Sequence, residues 1–182
     1  MYLGDGWVGR VARSWCIRVA LDLRYPEVVR VCAATMGAVS GARVTSLLRQ
    51  DRSTVVFQSA GADWAVLFPQ HAPGKKHERK IELVAWQLEI THRYTQEFIR
   101  GLVHSDGSRC INRFSVKLPS GRVGRYAYPR YFFTNHSADI RRIFCDHCDL
   151  LGIRWSQSDS RNISISHRDS VAQIDSFVGA KT

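Results

Sequence analysis

At 182 residues and 20.7 kDa the chain has room for one compact domain or two fused half-domains, and for little else. Hydrophobic residues at 45% and aromatics at 10% exclude wholesale disorder, and no apolar run approaches the ~18 residues a membrane helix needs. A net charge of +10 with Arg well ahead of Lys makes an acidic partner the expectation, nucleic acid first, although a solvated basic face has the same composition.

The N-terminus lacks the basic, apolar and small-residue succession of a secretion signal, so cytoplasmic residence is the default expectation. Five cysteines, at 16, 32, 110, 145 and 148, are an odd number and argue for reduced thiols over a disulfide framework.

In chain order, Leu3-Gly4-Asp5-Gly6 comes first, then a β-like stretch from Trp15 to Leu21, a turn, and a helical stretch from Glu27 to Val39. Val55-Val56-Phe57 and Trp64 to Phe68 follow. Pro73 to Lys80 reads as a hinge loop ahead of a helical segment beginning near Val84. His104-Ser105-Asp106-Gly107 then answers the opening motif. After it come Tyr128 to Phe133, Asp139 to Leu151, Ile163-Ser164-Ile165 and Val171 to Phe177.

The two long helical stretches align with Val28 on Ile140, Arg30 on Arg142, Val31 on Ile143, Cys32 on Phe144 and Val39 on Leu151. Pro26 suits a first helical turn, Ser137 an N-cap with Asp139 behind it, and Gly41 and Gly152 the positions just past the helix ends. Leu118-Pro119-Ser120-Gly121 reads as a hairpin turn found only in the second half. The fold class is therefore α+β, in two halves of order αββαββα. The expected divisions are 1–80, with a truncated first helix, and 81–182.

The run Ile99-Arg100-Gly101-Leu102-Val103-His104-Ser105-Asp106-Gly107 resembles the LAGLIDADG signature, and Asp5-Gly6 repeats its ending. Gly101 and Ser105 are four apart, on one helical face. The resemblance is to double-motif, single-chain LAGLIDADG homing endonucleases and spans almost the whole chain. It implies two pseudo-symmetric half-domains forming a saddle, a monomer with internal two-fold pseudo-symmetry, and double-stranded DNA as partner. It also implies a divalent cation, Mg²⁺, held by Asp5 and Asp106 with the backbone carbonyls of Gly4 and Ser105, for phosphodiester hydrolysis. Lys75 or Lys76, with Lys181, are the corresponding candidates for catalytic-centre lysines, and each has the alternative of a solvated basic loop or terminus. Two departures stand out: the first motif begins at Met1, which leaves most of its helix out of the sequence, and His104 occupies the place of the signature's first acid.

Arg10, Arg13, Arg18, Arg113, Arg125 and Arg130 lie in strand regions and are the candidate DNA contacts, their faces depending on register. Cys145-Asp146-His147-Cys148 has the spacing of half a zinc site, but the cysteines align with Ala33 and Met36 and no second CxxC exists. They are expected to be core thiols, with His147 exposed. Trp15, Trp64, Trp86 and Trp155 are expected mostly in the core. A catalytically inactive DNA-binding transcriptional regulator on the same scaffold is the alternative, and an RNA-binding or splicing-assisting role a third. Retention of both acids favours the endonuclease.

Overall fold

The computed structural model describes every residue except Asp51, Ala62, Ala180 and Thr182. The chain divides into two compact units, Met1–Thr91 with the C-terminal 180–182, and His92–Gly179. This division falls beyond the Pro73 to Lys80 loop.

In the first unit the order is α1 (Tyr2–Asp5), β1 (Gly6–Val11), β2 (Ser14–Asp22), α2 (Pro26–Ser40), β3 (Val44–Leu48), β4 (Thr54–Ala60) and α3 (Trp64–Leu67). A 3-10 turn, Lys76–Glu78, follows, and α4 (Ala85–Arg93) runs from the first unit across the division at Thr91. The second unit repeats the order with α5 (Thr95–Asp106), β5 (Gly107–Lys117), β6 (Val123–Thr134), α6 (Ala138–Leu150), β7 (Ser156–Gln157), β8 (Asn162–Ile165) and α7 (Arg168–Val178). The helical segment expected from Val84 is thus two helices, broken at Tyr94.

Both sheets are antiparallel and identically wound, β1-β2-β4-β3 and β5-β6-β8-β7. Each is amphipathic by alternation. In the first, Val8, Ile17, Val19, Leu21, Val55 and Phe57 are buried on the face that the helices cover. Val28, Cys32 and Met36, spaced by four, give α2 its buried stripe. In the second unit Phe133 stacks on Phe144 at 4.2 Å, amid Ile99, Leu102, Ile140, Ile163, Ile165 and Ile174. Each such side chain contributes roughly 1.5–3 kcal/mol by leaving water.

The helix ends follow the expected chemistry. Ser137 accepts from the Ile140 N–H, Pro26 opens α2, and Gly41 and Gly152 take φ of +59° and +67° beyond the two helices. The side-by-side apolar alignment is only partly a shared core, because Val31 is exposed where Ile143 is buried and Val39 is exposed where Leu151 is half-buried.

Two sequence expectations are corrected by the packing. His147 is buried at 1% exposure, its Nδ1 paired with the Ile143 carbonyl at 2.7 Å and its ring 4.5 Å from that of Phe98. A backbone partner one turn back satisfies one nitrogen and lets the imidazole pack as an aromatic. Of the tryptophans expected in the core, Trp64 is buried and Trp15 is half-buried against His71, whereas Trp86 and Trp155 are exposed. Trp155 keeps a polar partner outside the core, its indole N–H donating to Asp149 at 2.8 Å. Trp64 to Phe68 supplies one helical turn, α3, whereas its counterpart in the second unit extends through α7.

The thiols are as expected: all five are free, and Cys145 and Cys148 are buried. Burial pushes the Cys145 thiol up to about 12 and raises that of Cys148 as well. Among the described residues no helix is long and apolar enough to cross a membrane.

Candidate functional site

Each unit sends an aspartate out at the same structural point, where its first helix runs directly into its first strand. Asp5 closes α1 and Gly6 opens β1; Asp106 closes α5 and Gly107 opens β5. Both carboxylates are half-buried. The glycine after each is forced by proximity. A Cβ on Gly6 would sit 2.6 Å from the Tyr2 Cα, and one on Gly107 would sit 2.6 Å from the Val103 carbonyl oxygen. Both glycines are extended, with φ near −91° and −96°, so the requirement comes from the chain doubling back on its own helix and not from a left-handed conformation.

The surroundings of the two acids differ. Asn135, in the β6–α6 connection, donates its amide to the Asp106 carboxylate at 2.6 Å. Asn135 is itself held on three sides: its side-chain oxygen accepts from Ser137 N–H, its carbonyl accepts from Arg141, and its N–H donates to the Arg161 carbonyl. This residue was invisible in the sequence, since an Asn two places before an N-cap reads only as a local turn.

In the first unit Lys76 meets the backbone of the matching junction. Its ammonium donates to the carbonyls of Tyr2, Leu3 and Gly4 at 2.5, 2.9 and 2.8 Å and lies 5.0 Å from the Tyr2 ring centroid. Three donors thus meet three carbonyls at the end of a one-turn helix, where the backbone's partial negative charge collects. The loop that presents Lys76 is anchored by a buried amide pair. The Gln70 side-chain amide bonds to the Glu82 carbonyl and to Gln87, and Gln87 donates to the Leu67 carbonyl at 2.9 Å. Arg79 donates to the Gln70 carbonyl across the same loop.

The structure therefore separates the three candidate lysines. Lys76 stands at Gly4, next to Asp5; Lys75 points away to Glu78 at 3.3 Å on the surface. Lys181 lies over the Tyr25 ring at 4.9 Å, within the first unit. The Gly4 and Ser105 carbonyls belong to the last turns of α1 and α5. His104, at the signature's first acidic place, bonds the Val178 carbonyl through Nε2 at 3.1 Å and so ties α5 to the end of α7.

The candidate DNA contacts divide by register. In the first unit a groove of about 620 Å³ on the helix-free face is lined by Asp5, Trp7, Arg18, Arg49, Val56 and Gln58, among others. Arg18 pairs across with Trp7 and Gln58, its guanidinium 5.4 Å from the Trp7 ring centroid. Arg10 shares the helix-side parity and lies over Trp15 at 5.6 Å, and Arg13 sits in the hairpin turn. In the second unit Arg130 pairs with Cys110 on the helix-free face, over Phe132 at 5.5 Å. Arg113 and Arg125 carry the opposite parity, that of Tyr131 and Phe133. Arg109, which the sequence did not single out, is tied to Asp175 at 2.8 Å, and Tyr131 donates to the same carboxylate at 2.6 Å. The Arg109 hydrogen bond holds Asp175 below the usual carboxylate range.

Neither a family model nor a curated protein matches the chain. Solved structures do. The LAGLIDADG meganuclease I-AabMI, bound to uncleaved DNA, superposes with a TM-score of 0.57 at 11% identity, over 97% of this chain and 79% of that one. The homing endonuclease I-SmaMI bound to cleaved DNA gives 0.55 at 10%, over 98% and 80%. I-LtrWI bound to target DNA gives 0.54 at 7%, over 91% and 75%. At such identities the likeness is one of fold, and the fold is that of these single-chain LAGLIDADG endonucleases.

Proposed function

We propose that the chain is a DNA endonuclease of LAGLIDADG type, hydrolysing phosphodiester bonds in double-stranded DNA at a long recognition site with Mg²⁺. The observation that carries this reading is the repeated junction: in each unit a half-buried aspartate is delivered at the helix-to-strand turn, at the root of a helix-free sheet face. In the first unit that face has Asp5, Arg18, Arg49 and Gln58 in one groove. The fold neighbours solved on DNA support the same partner.

The carboxylates fit the metal. The second unit offers Asp106 with the Ser105 carbonyl before it; the first offers Asp5, the Gly4 carbonyl before it already accepting from the Lys76 ammonium at 2.8 Å. These are hard oxygens of the kind Mg²⁺ accepts when substrate phosphates and waters complete its shell. Bound there, the ion would supply Lewis-acid stabilisation of the phosphate and a more acidic water. The chain's own residues do the rest. Asn135 fixes the orientation of the Asp106 carboxylate, Lys76 puts a fixed positive charge beside the Gly4 carbonyl, and the arginines of the helix-free faces bind phosphate and guanine edges.

The test is Asp106→Asn. The change removes the charge that holds Mg²⁺ and leaves size and phosphate contacts intact, so Mg²⁺-dependent cleavage of a selected duplex should vanish while affinity stays within about threefold. Lys181→Ala should slow cleavage less. Undiminished cleavage by Asp106→Asn would overturn the assignment. Tight, salt-sensitive binding by a wild-type chain that never nicks its site would replace the endonuclease by a DNA-binding regulator.

A further inference from the structure

The β5–β6 hairpin outruns its own sheet. β8 pairs with β6 only from Tyr131 to Thr134, so from Cys110–Arg130 to Lys117–Val123 the hairpin is a two-stranded ribbon with no third strand. At ~3.3 Å per residue it projects roughly 25 Å. The first unit has no counterpart, since β4 pairs with β2 from Cys16 onward.

The ribbon's two faces are chemically distinct. Asn112, Phe114, Val116, Gly124, Tyr126, Tyr128 and Arg130 share one, and Arg113, Lys117 and Arg125 share the other. From Gly107 to Thr134 there are six basic residues and no acid. Among the described residues only Arg109 of the six is ion-paired. On the first face Phe114 lies 5.5 Å from Tyr126 and 6.1 Å from Tyr128, and the two tyrosine rings are 6.1 Å apart at 16°. Tyr126 lies flat along its strand over Gly124, where an added Cβ would come within 3.0 Å of the ring. Phe114 and Tyr128 are exposed at 43% and 52%.

A cationic two-stranded ribbon of this length fits the major groove of a duplex, with long basic stems reaching the phosphate walls. Base pairs there present edges, not faces. The edge group that an outward aromatic face accepts is the thymine C5-methyl, an apolar knob with slightly positive hydrogens against a negative π surface. Resting on the DNA-binding reading above, we propose that Phe114, Tyr126 and Tyr128 read thymine methyl groups. The second unit is then specific for a thymine-bearing segment, whereas the first reads hydrogen-bonding edges through Arg18 and Gln58.

The test leaves the protein intact. A duplex is selected from a randomised library with the wild-type chain, and each thymine is then replaced singly by deoxyuridine, which deletes only the methyl. At the contacted positions affinity should fall about fourfold per methyl, the worth of one buried carbon. Tyr128→Ser and Phe114→Ser should each lose the deoxyuridine penalty at the thymine that its own ring contacts and keep it at the others. A selected duplex that tolerates every deoxyuridine overturns the methyl reading and leaves DNA binding standing. Tighter binding to the corresponding single strand overturns it too, in favour of base stacking. Failure to select any duplex removes both this inference and the reading on which it rests.

Discussion

Gly107→Ala should destabilise the second unit by about 2 kcal/mol. The added methyl would lie 2.6 Å from the Val103 carbonyl oxygen, 2.7 Å from its Cα and 2.8 Å from its Cγ1. Two of these are backbone atoms of a packed helix, so no rotamer change relieves the clash, and overpacking of this kind costs about 1–3 kcal/mol. For a unit spanning His92–Gly179 that corresponds to roughly 8–16 °C in Tm if it unfolds alone, and about half as much if the whole chain unfolds together. Calorimetry and urea titration measure it. Gly6→Ala, with its clash at 2.6 Å from the Tyr2 Cα, should behave alike. Because Asp106 is the residue before the clash, the cleavage proposed above should fall further than stability alone explains. A Gly107→Ala chain within 0.5 kcal/mol of wild type would refute the claim that the junction is sterically closed.

Lys76→Met should cost about 2 kcal/mol, because it strips three charge-assisted donors from the end of α1. Lys75→Met, which loses only an exposed pair with Glu78, should cost under ~0.5 kcal/mol; equal effects in urea titrations would contradict the division of labour between these neighbours. Burial holds His147 below its ordinary value in the folded chain, while the unfolded chain takes up the proton near ~6.5. The unfolded state thus binds more protons, and stability is lost as pH falls through that window. The urea midpoint should drop between pH 7.5 and 5.5, less so in His147→Leu; an identical drop in both would show that His147 does not carry the effect.

The Asp-Gly repeat was legible because its glycine answers a local steric demand that any such helix-to-strand junction imposes. The hairpin extension was legible too, through Leu118-Pro119-Ser120-Gly121, which has no partner in the first half. What escaped was long-range or needed register. Asn135 and Asp106 are 29 positions apart, and no periodicity links them. The split of Arg113 and Arg125 from Arg130 depends on which residue faces which across β5 and β6. For His147 the reading from its cysteine neighbours misled, since a backbone partner at Ile143 lets the imidazole share their interior. Between Lys75 and Lys76 the choice rests on how Gln70 and Gln87 clamp the loop.

Four of the five thiols lie in the interior, and Cys110 alone is exposed, at the root of the ribbon on its helix-free face. Burial raises the pKa of Cys32, Cys145 and Cys148, which slows their reaction with electrophiles while the chain stays folded. The native sequence therefore carries its own chemical handle. A maleimide fluorophore attached at Cys110 requires no engineered cysteine, and it sits where any ligand covering the β5–β6 surface must pass, so binding can be followed by quenching or by protection from alkylation. In storage the same exposure makes this sulfur the first to oxidise or to bridge two chains, and a reductant the first requirement for handling the protein.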